Sequence, residues 1–107
     1  MDKKISKIRK IIEEYKFVLT HLGIKVERTI LFGSFAYGSS RKDSDIDLIV
    51  VSDDFKNMNL RQRLEILGIA AVKIMQPIEA MGYTLKEIKD SSKPAFLKHI
   101  LKAGIGV

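Results

Sequence analysis

The sequence of 107 residues is long enough for one compact domain, and we expect a single domain over residues 1–107. Hydrophobic residues make up 46% and charged residues 30%, a balance that excludes a disordered or collagen-like chain. Lysine and arginine outnumber the acids by 19 to 13, and the net charge of +6 favours anionic partners such as nucleotides, nucleic acid or an acidic protein surface.

Cysteine is absent from the sequence, which excludes a disulfide framework, a thiolate metal site and a cysteine nucleophile. A reducing compartment is therefore expected, with the cytoplasm as the default location. No apolar stretch approaches the roughly 18 to 20 residues that span a bilayer, so we expect no membrane partner.

The first half of the chain predicts a helix, a strand and a short turn. Residues 2–22 are predicted to form a helix ending at Gly23, because apolar residues recur three or four apart: Ile5, Ile8, Ile11, Ile12, Tyr15, Val18, Leu19 and Leu22. Residues 25–32 are rich in β-branched and aromatic side chains and predict a strand ending at Gly33. A brief helix with Ser34 as its N-cap is expected next, followed by a polar loop at 38–43.

The second half continues the alternation of strands and helices. Residues 44–51 end in an apolar run that predicts a buried strand, and 52–59 predict a polar loop. Residues 60–75 predict a helix whose buried stripe comprises Leu60, Leu64, Leu67, Ala71 and Ile74. A strand at 78–83, a capping box from Thr84 to Glu87 and a last helix from Pro94 to Lys102 follow. The order predicts a small mixed α/β (α+β) domain, a β-sheet flanked by helices.

The predicted helix at 60–75 carries more apolar side chains than one buried stripe needs. Ile66, Ile69 and Val72 fall on its remaining arc, among charged and amide side chains. Either the last helix of the chain covers this arc or a partner does, and a homo-oligomer remains open.

The stretch GSFAYGSSRKDSDID at 33–47 places a Gly-Ser turn after one strand and two carboxylates on the next. Asp45 and Asp47 are two residues apart, so on a strand they point to the same face and repel each other unless a cation lies between them. Magnesium takes one or two such carboxylates and completes its shell with water and phosphate oxygens. Gly33 lets a phosphate approach the backbone, Ser34 offers a hydroxyl group, and Glu79 is the only acid inside the third strand and the candidate third ligand.

Simpler interpretations stay open beside this one. The DSDID run fits a strand with a solvated polar face, and Glu79 fits a solvated carboxylate. His21 and His99 have no second ligand nearby, and structural roles are expected for both. The lysines of the first helix fit a solvated face, and aromatic residues are too sparse to favour nucleic-acid binding.

Gly33-Ser34, ten residues, then Asp45-Ile46-Asp47 resembles the GSx10DxD signature of the polymerase-beta-like nucleotidyltransferase superfamily. More narrowly, the chain resembles the minimal nucleotidyltransferases, antitoxin-type partners of HEPN proteins. The resemblance implies the nucleotidyltransferase fold, magnesium held by Asp45, Asp47 and Glu79, and nucleotide phosphates at Gly33 and Ser34. It further implies transfer of a nucleoside monophosphate, AMP from ATP or the equivalent from another triphosphate, onto a hydroxyl group of a HEPN toxin.

The sequence departs from this family at two kinds of position. Many relatives carry arginine at one or both of the positions held by Phe35 and Tyr37, and either Arg41 or Lys42 is available to replace that charge. The third carboxylate is commonly aspartate, whereas Glu79 is one methylene longer. The alternative is therefore a catalytically weak or inactive nucleotide- or partner-binding module.

Overall fold

The computed structural model describes residues 3–36 and 45–107, so Tyr37, Arg41, Lys42 and the predicted loop at 38–43 lie outside the described residues. In chain order the elements are α1 (Lys3–His21), β1 (Arg28–Phe32), a 3₁₀ turn (Gly33–Phe35), β2 (Ile46–Val51), a second 3₁₀ turn (Asp53–Phe55), α2 (Leu60–Lys73), β3 (Ile78–Tyr83), α3 (Leu85–Lys89), α4 (Ala95–Ala103) and β4 (Ile105–Gly106). The predicted mixed α/β class is confirmed. The two-residue β4 was not predicted, because so short a strand has no periodicity to detect.

The four strands form one sheet in the order β3-β2-β1-β4. β2 lies at its centre, antiparallel to β1 and parallel to β3. The connection from β2 to β3 therefore needs a crossover, and α2 provides it. Because β1 runs opposite to the other two, its C-terminal end meets the N-terminal ends of β2 and β3 at the same end of the sheet.

Helices cover both faces of the sheet. One face packs against α1 and α2, with Ile12, Tyr15 and Leu19 almost fully buried. The hydroxyl group of Tyr15 donates a hydrogen bond of 2.7 Å to the carbonyl of Leu67 and so joins α1 to α2. The other face packs against α3 and α4 in a second cluster of Ile30, Ile49, Val51, Ile88, Leu97 and Ile100.

The buried face of α2 agrees with the predicted one only in part. Leu67 and Ala71 are buried as predicted, together with Ala70, whereas Leu60 and Leu64 are 69% and 46% exposed. The physical reason is Arg63, whose side chain is only 11% exposed and turns toward the protein to bind Glu87 and backbone carbonyls. Because α4 lies on the opposite face of the sheet, it does not cover the outer arc of α2.

The predicted polar loop at 52–59 contains a core residue. Phe55 is fully buried, and its ring lies against Gly82, where an added Cβ would come within 2.7 Å of it. The predicted capping box is confirmed, since Thr84 and Glu87 each accept a hydrogen bond from the other's backbone N–H group. Within the described ranges, no helix is long and apolar enough to cross a membrane.

Candidate functional site

The Gly-Ser turn lies directly after β1. Gly33 has φ of +72°, in the left-handed region that side chains other than glycine rarely adopt. The 3₁₀ turn starts at Gly33 with Phe32 as its N-cap residue and no side-chain cap, so the prediction of Ser34 as N-cap is wrong. Ser34 lies inside the turn, and its side chain is half-buried.

Two of the predicted acidic residues are cross-strand neighbours. Asp47 is the register partner of Phe32 on β1 and of Glu79 on β3, so the last residue of β1 and both acids form one row across the sheet. Gly33 follows that row closely: a Cβ at Gly33 would collide with Oδ2 of Asp47 and stand 3.0 Å from its Cγ. The sheet register thus brings the turn, Asp47 and Glu79 together.

Asp45 lies just before β2 rather than inside the predicted strand, and its side chain is exposed. Its charge nevertheless reaches Asp47, two residues on. Glu79 is also exposed, whereas Asp47 is half-buried between its two strand neighbours. The three predicted carboxylates therefore occupy one end of the sheet, with Asp47 at the centre.

The environment of Asp47 raises the pKa of its carboxyl group. Burial is the largest cause, followed by the negative charges of Glu79 and Asp45 and by a side-chain hydrogen bond with Glu79. Each cause disfavours the negatively charged form of Asp47. Such a cluster needs a proton or a cation to bring its carboxylates together.

The side-chain contact of Asp47 with Glu79, with the exposed Asp45 two residues away, fits magnesium as well as a shared proton. Carboxylate oxygens are the ligands that magnesium prefers, and one or two of them suffice when phosphate and water complete the shell. Among residues 3–36 and 45–107, no three acidic or histidine side chains already converge as a metal site. Asp47 and Glu79 are the pair in contact, and Asp45 is the exposed neighbour available to join them.

An apolar groove adjoins the acidic end of the sheet. It has a volume of about 460 Å³ and is lined by Asp47 and Glu79 together with Phe32, Leu64, Leu67, Gly68, Ile78, Ala80 and Met81. The sequence did not predict these apolar residues as part of the site. Gly68 could have indicated the groove, because a glycine in the middle of a predicted helix is unusual.

A family model described as polymerase beta, nucleotidyltransferase matches residues 6–107. The chain belongs to this family. As a member of the polymerase beta nucleotidyltransferase family it carries the GSx10DxD signature, and the structure places Gly33 and Asp47 from that signature in contact.

Two proteins of Methanocaldococcus jannaschii, MJ1379 and MJ0141, are similar to this family member, and both are named as candidate protein adenylyltransferases. MJ1379 is 34% identical over 65 residues, which cover 61% of this chain and 64% of that protein. MJ0141 is 34% identical over 58 residues, which cover 53% of this chain and 59% of that protein. The matches thus span less than two thirds of either relative.

Two solved structures share the nucleotidyltransferase fold of the chain. A candidate nucleotidyltransferase from Sulfolobus solfataricus aligns with a TM-score of 0.65 and 20% identity, covering 96% of this chain and 80% of that one. A toxin–antitoxin structure with AMP-PNP aligns with a TM-score of 0.60 and 22% identity, covering 88% of this chain and 70% of that one. At such identities the likeness shows the fold.

Proposed function

We propose that this chain is a magnesium-dependent protein adenylyltransferase of the minimal nucleotidyltransferase type, acting as an antitoxin on a HEPN-type toxin. The observation that carries the proposal is the contact between the Gly33 turn and Asp47, with Glu79 beside Asp47 on the next strand. The names of the two Methanocaldococcus relatives support protein adenylylation, and the toxin–antitoxin structure with AMP-PNP supports nucleotide binding beside a protein partner.

The proposed reaction transfers AMP from ATP to a hydroxyl group. The acceptor oxygen bonds to the α-phosphorus, the bond from that phosphorus to the oxygen bridging the β-phosphorus breaks, and pyrophosphate leaves as the hydroxyl proton is lost. Asp45, Asp47 and Glu79 would hold magnesium, and the bound ion would supply positive charge to neutralise the triphosphate and the leaving pyrophosphate. Gly33 and Ser34 orient the phosphates, which reduces the entropy lost in reaching the reactive geometry.

The two sides of Asp47 suggest separate positions for the triphosphate and the acceptor. The Gly33 turn lies on the β1 side of Asp47 and Glu79 lies on the β3 side. We assign the triphosphate to the β1 side and the acceptor hydroxyl to the β3 side, where Glu79 can accept its proton directly or through water.

The test is AMP transfer from ATP labelled at the α-phosphate, in the presence of magnesium and a HEPN-type protein. We expect the unaltered chain to label that protein and Asp47→Asn to label it at least about a hundredfold more slowly, because charge stabilisation at the reacting phosphate is lost. Glu13→Gln is the matched control, since Glu13 is a 71% exposed carboxylate on α1. Equal labelling by all three proteins contradicts the proposal.

One observation favours a binding module without catalysis. Phe35 occupies a position at which many relatives carry arginine. Its half-buried side chain packs against the core on the face of the sheet that α1 and α2 cover. It therefore adds no positive charge toward the phosphates. Tight association with the HEPN-type protein and with ATP, but no labelling, is the result that selects this alternative.

A further inference from the structure

The outer edge of β3 offers unpaired backbone groups. The Pro77 carbonyl accepts a hydrogen bond from Ile46 of β2, and the Tyr83 carbonyl accepts one from Ser52, just after β2. In this parallel ladder the odd-numbered residues of β3 therefore bond to β2 and the backbone groups of the even-numbered ones point outward. Of the outward groups, the Ile78 N–H binds Gln76 and the Gly82 carbonyl accepts from Arg63. In the part of the chain that the structure describes, nothing pairs with the N–H or the carbonyl of Ala80.

Helix α2 carries an exposed apolar surface beside this edge. The residues recur three or four apart and define what we call the α2 stripe: Leu60, Leu64, Gly68, Val72 and Met75, the last lying just beyond the helix. Leu60 is 69% exposed, Leu64 46%, Val72 75% and Met75 87%. Spacing of this kind places them along one side of the helix.

Gly68 interrupts the α2 stripe without a packing reason. A glycine inside a helix costs about 1 kcal/mol relative to alanine. An added Cβ at Gly68 would meet nothing within 4 Å, so the fold itself does not require glycine there. Gly68 lines the groove of about 460 Å³ that holds Asp47 and Glu79, and also a second groove of about 510 Å³ that holds Asp45 and Glu79. Gly68, Ile78 and Glu79 line both grooves, so the two grooves adjoin at this glycine.

The charges along the grooves are segregated. Their carboxylates are Asp45, Asp47 and Glu79, at the end of the sheet, and the other lining residues among 3–36 and 45–107 are uncharged. The complementary ligand is therefore apolar along its length and brings its polar, reacting group to the acidic end.

We propose that an extended segment of the acceptor protein adds as a strand to the outer edge of β3, between the α2 stripe and the acidic site. Side chains alternate across a strand, so one set of the segment would pack on the α2 stripe and the other would face the side of Glu79. The first set is apolar, and the second includes the hydroxyl that accepts AMP. The unpaired groups of Ala80 favour a strand over a helix, because a bound helix would leave them unpaired. This inference rests on the proposed function.

The test measures association of the chain with the HEPN-type protein by calorimetry, without nucleotide. We expect Leu64→Glu combined with Val72→Glu to weaken association at least about tenfold, because both side chains lie within the contact. Ile69→Glu is the matched control, since Ile69 is 50% exposed on α2 but lines neither groove, and its association should change less than about threefold. Gly68→Leu should weaken association as the double variant does, whereas Gly68→Ala should weaken it less.

Amide hydrogen exchange tests the strand geometry directly. On binding, we expect exchange at Ala80 to slow at least about tenfold, because its N–H gains a partner, while Met81, already bonded to β2, stays unchanged. Loss of association in the stripe variants without slower exchange at Ala80 overturns the added strand.

The two proposals can fail separately. If the double variant Leu64→Glu, Val72→Glu and the variant Gly68→Leu transfer AMP to the HEPN-type protein at an unaltered rate, this inference is overturned and the proposed function stands. If association depends on the α2 stripe and protects Ala80 from exchange but no AMP is transferred, the proposed adenylyltransferase activity is overturned and the docking surface stands. Absence of any association by the unaltered chain overturns the docking surface.

Discussion

The guanidinium group of Arg63 connects the loop before α2 to the end of β3 and to α3. It donates hydrogen bonds to the carbonyls of Phe55 at 2.8 Å and Gly82 at 3.2 Å, and to the carboxylate of Glu87 at 2.7 Å. The Cζ atom of Arg63 also lies 5.7 Å from the centre of the Phe55 ring. The hydrogen bond from Arg63 is the largest cause of the lowered pKa of Glu87.

This lowered pKa predicts how stability depends on pH. Folding favours the ionised form of Glu87, so its contribution is present above the ordinary pKa of 4.5 and is lost as pH falls through the lower value in the folded protein. Because the carboxylate is 41% exposed, solvent screening limits that contribution. We expect Glu87→Gln to reduce the free energy of unfolding by about 1 kcal/mol at pH 7.

Urea unfolding of both proteins between pH 7 and pH 3 measures this prediction. The difference between the two should shrink below about pH 4.5, where the carboxylate becomes protonated in the unfolded chain. Glu65→Gln is the control, since Glu65 pairs with Arg61 on the surface and both side chains are mostly exposed. A difference that stays constant with pH would show that Arg63 does not act on the charge of Glu87.

At the scale of elements, the packing of α1 on α2 includes a buried polar contact. Tyr15 is fully buried, its hydroxyl donates to the carbonyl of Leu67, and burial raises the pKa of Tyr15 well above its ordinary value of 10.0. Only the neutral phenol is therefore compatible with the packed helices. Its stabilising contribution is present below pH 10 and is lost as pH rises, because the unfolded chain ionises first.

Tyr15→Phe should lower the free energy of unfolding by about 1 kcal/mol at pH 7, through loss of one buried hydrogen bond. Above pH 10 the unaltered protein should lose about 1.4 kcal/mol per pH unit more than the variant, so the two stabilities should become equal near about pH 11. Urea unfolding at pH 7, 10 and 11 checks both values. Parallel loss in the two proteins would exclude Tyr15 as the titrating group.

At the scale of the whole molecule, ligand binding should be visible as stability. If Asp45 and Asp47 hold magnesium against the phosphates, magnesium with ATP at about a hundred times its dissociation constant adds about 2.7 kcal/mol to the free energy of unfolding. Calorimetry should show a Tm higher by roughly 10 °C, and Asp45→Asn combined with Asp47→Asn should abolish the shift.

Without ligand, the same double variant should be no less stable than the unaltered protein. The substitutions remove the repulsion of Asp47 with Asp45 and with Glu79. An unchanged shift with magnesium and ATP in the variant would mean that these acids do not hold the metal.

The sequence predicted the strands that carry the candidate site better than it predicted the surface around them. Residues 78–83 were predicted as a strand and form β3, and the periodicity of α1 was right to within a residue at its C-terminal end. The contact of Gly33 with Asp47 depends on the register of β1 and β2, which hydrophobic pattern alone does not specify. Leu60 and Leu64 were wrongly assigned to the buried face of α2, because a pattern built on apolar residues does not detect a buried arginine.

The close approach of Phe55 to Gly82 links two positions that are distant in the sequence. An added Cβ at Gly82 would stand 2.7 Å from the Phe55 ring, so a side chain at position 82 requires a smaller residue at position 55. Across a family that keeps this architecture, we expect the two positions to covary: chains with a side chain at the β3 position should carry a smaller residue in the turn after β2. Selection would then act on the pair, and a single substitution at either site would become neutral only after the other had occurred.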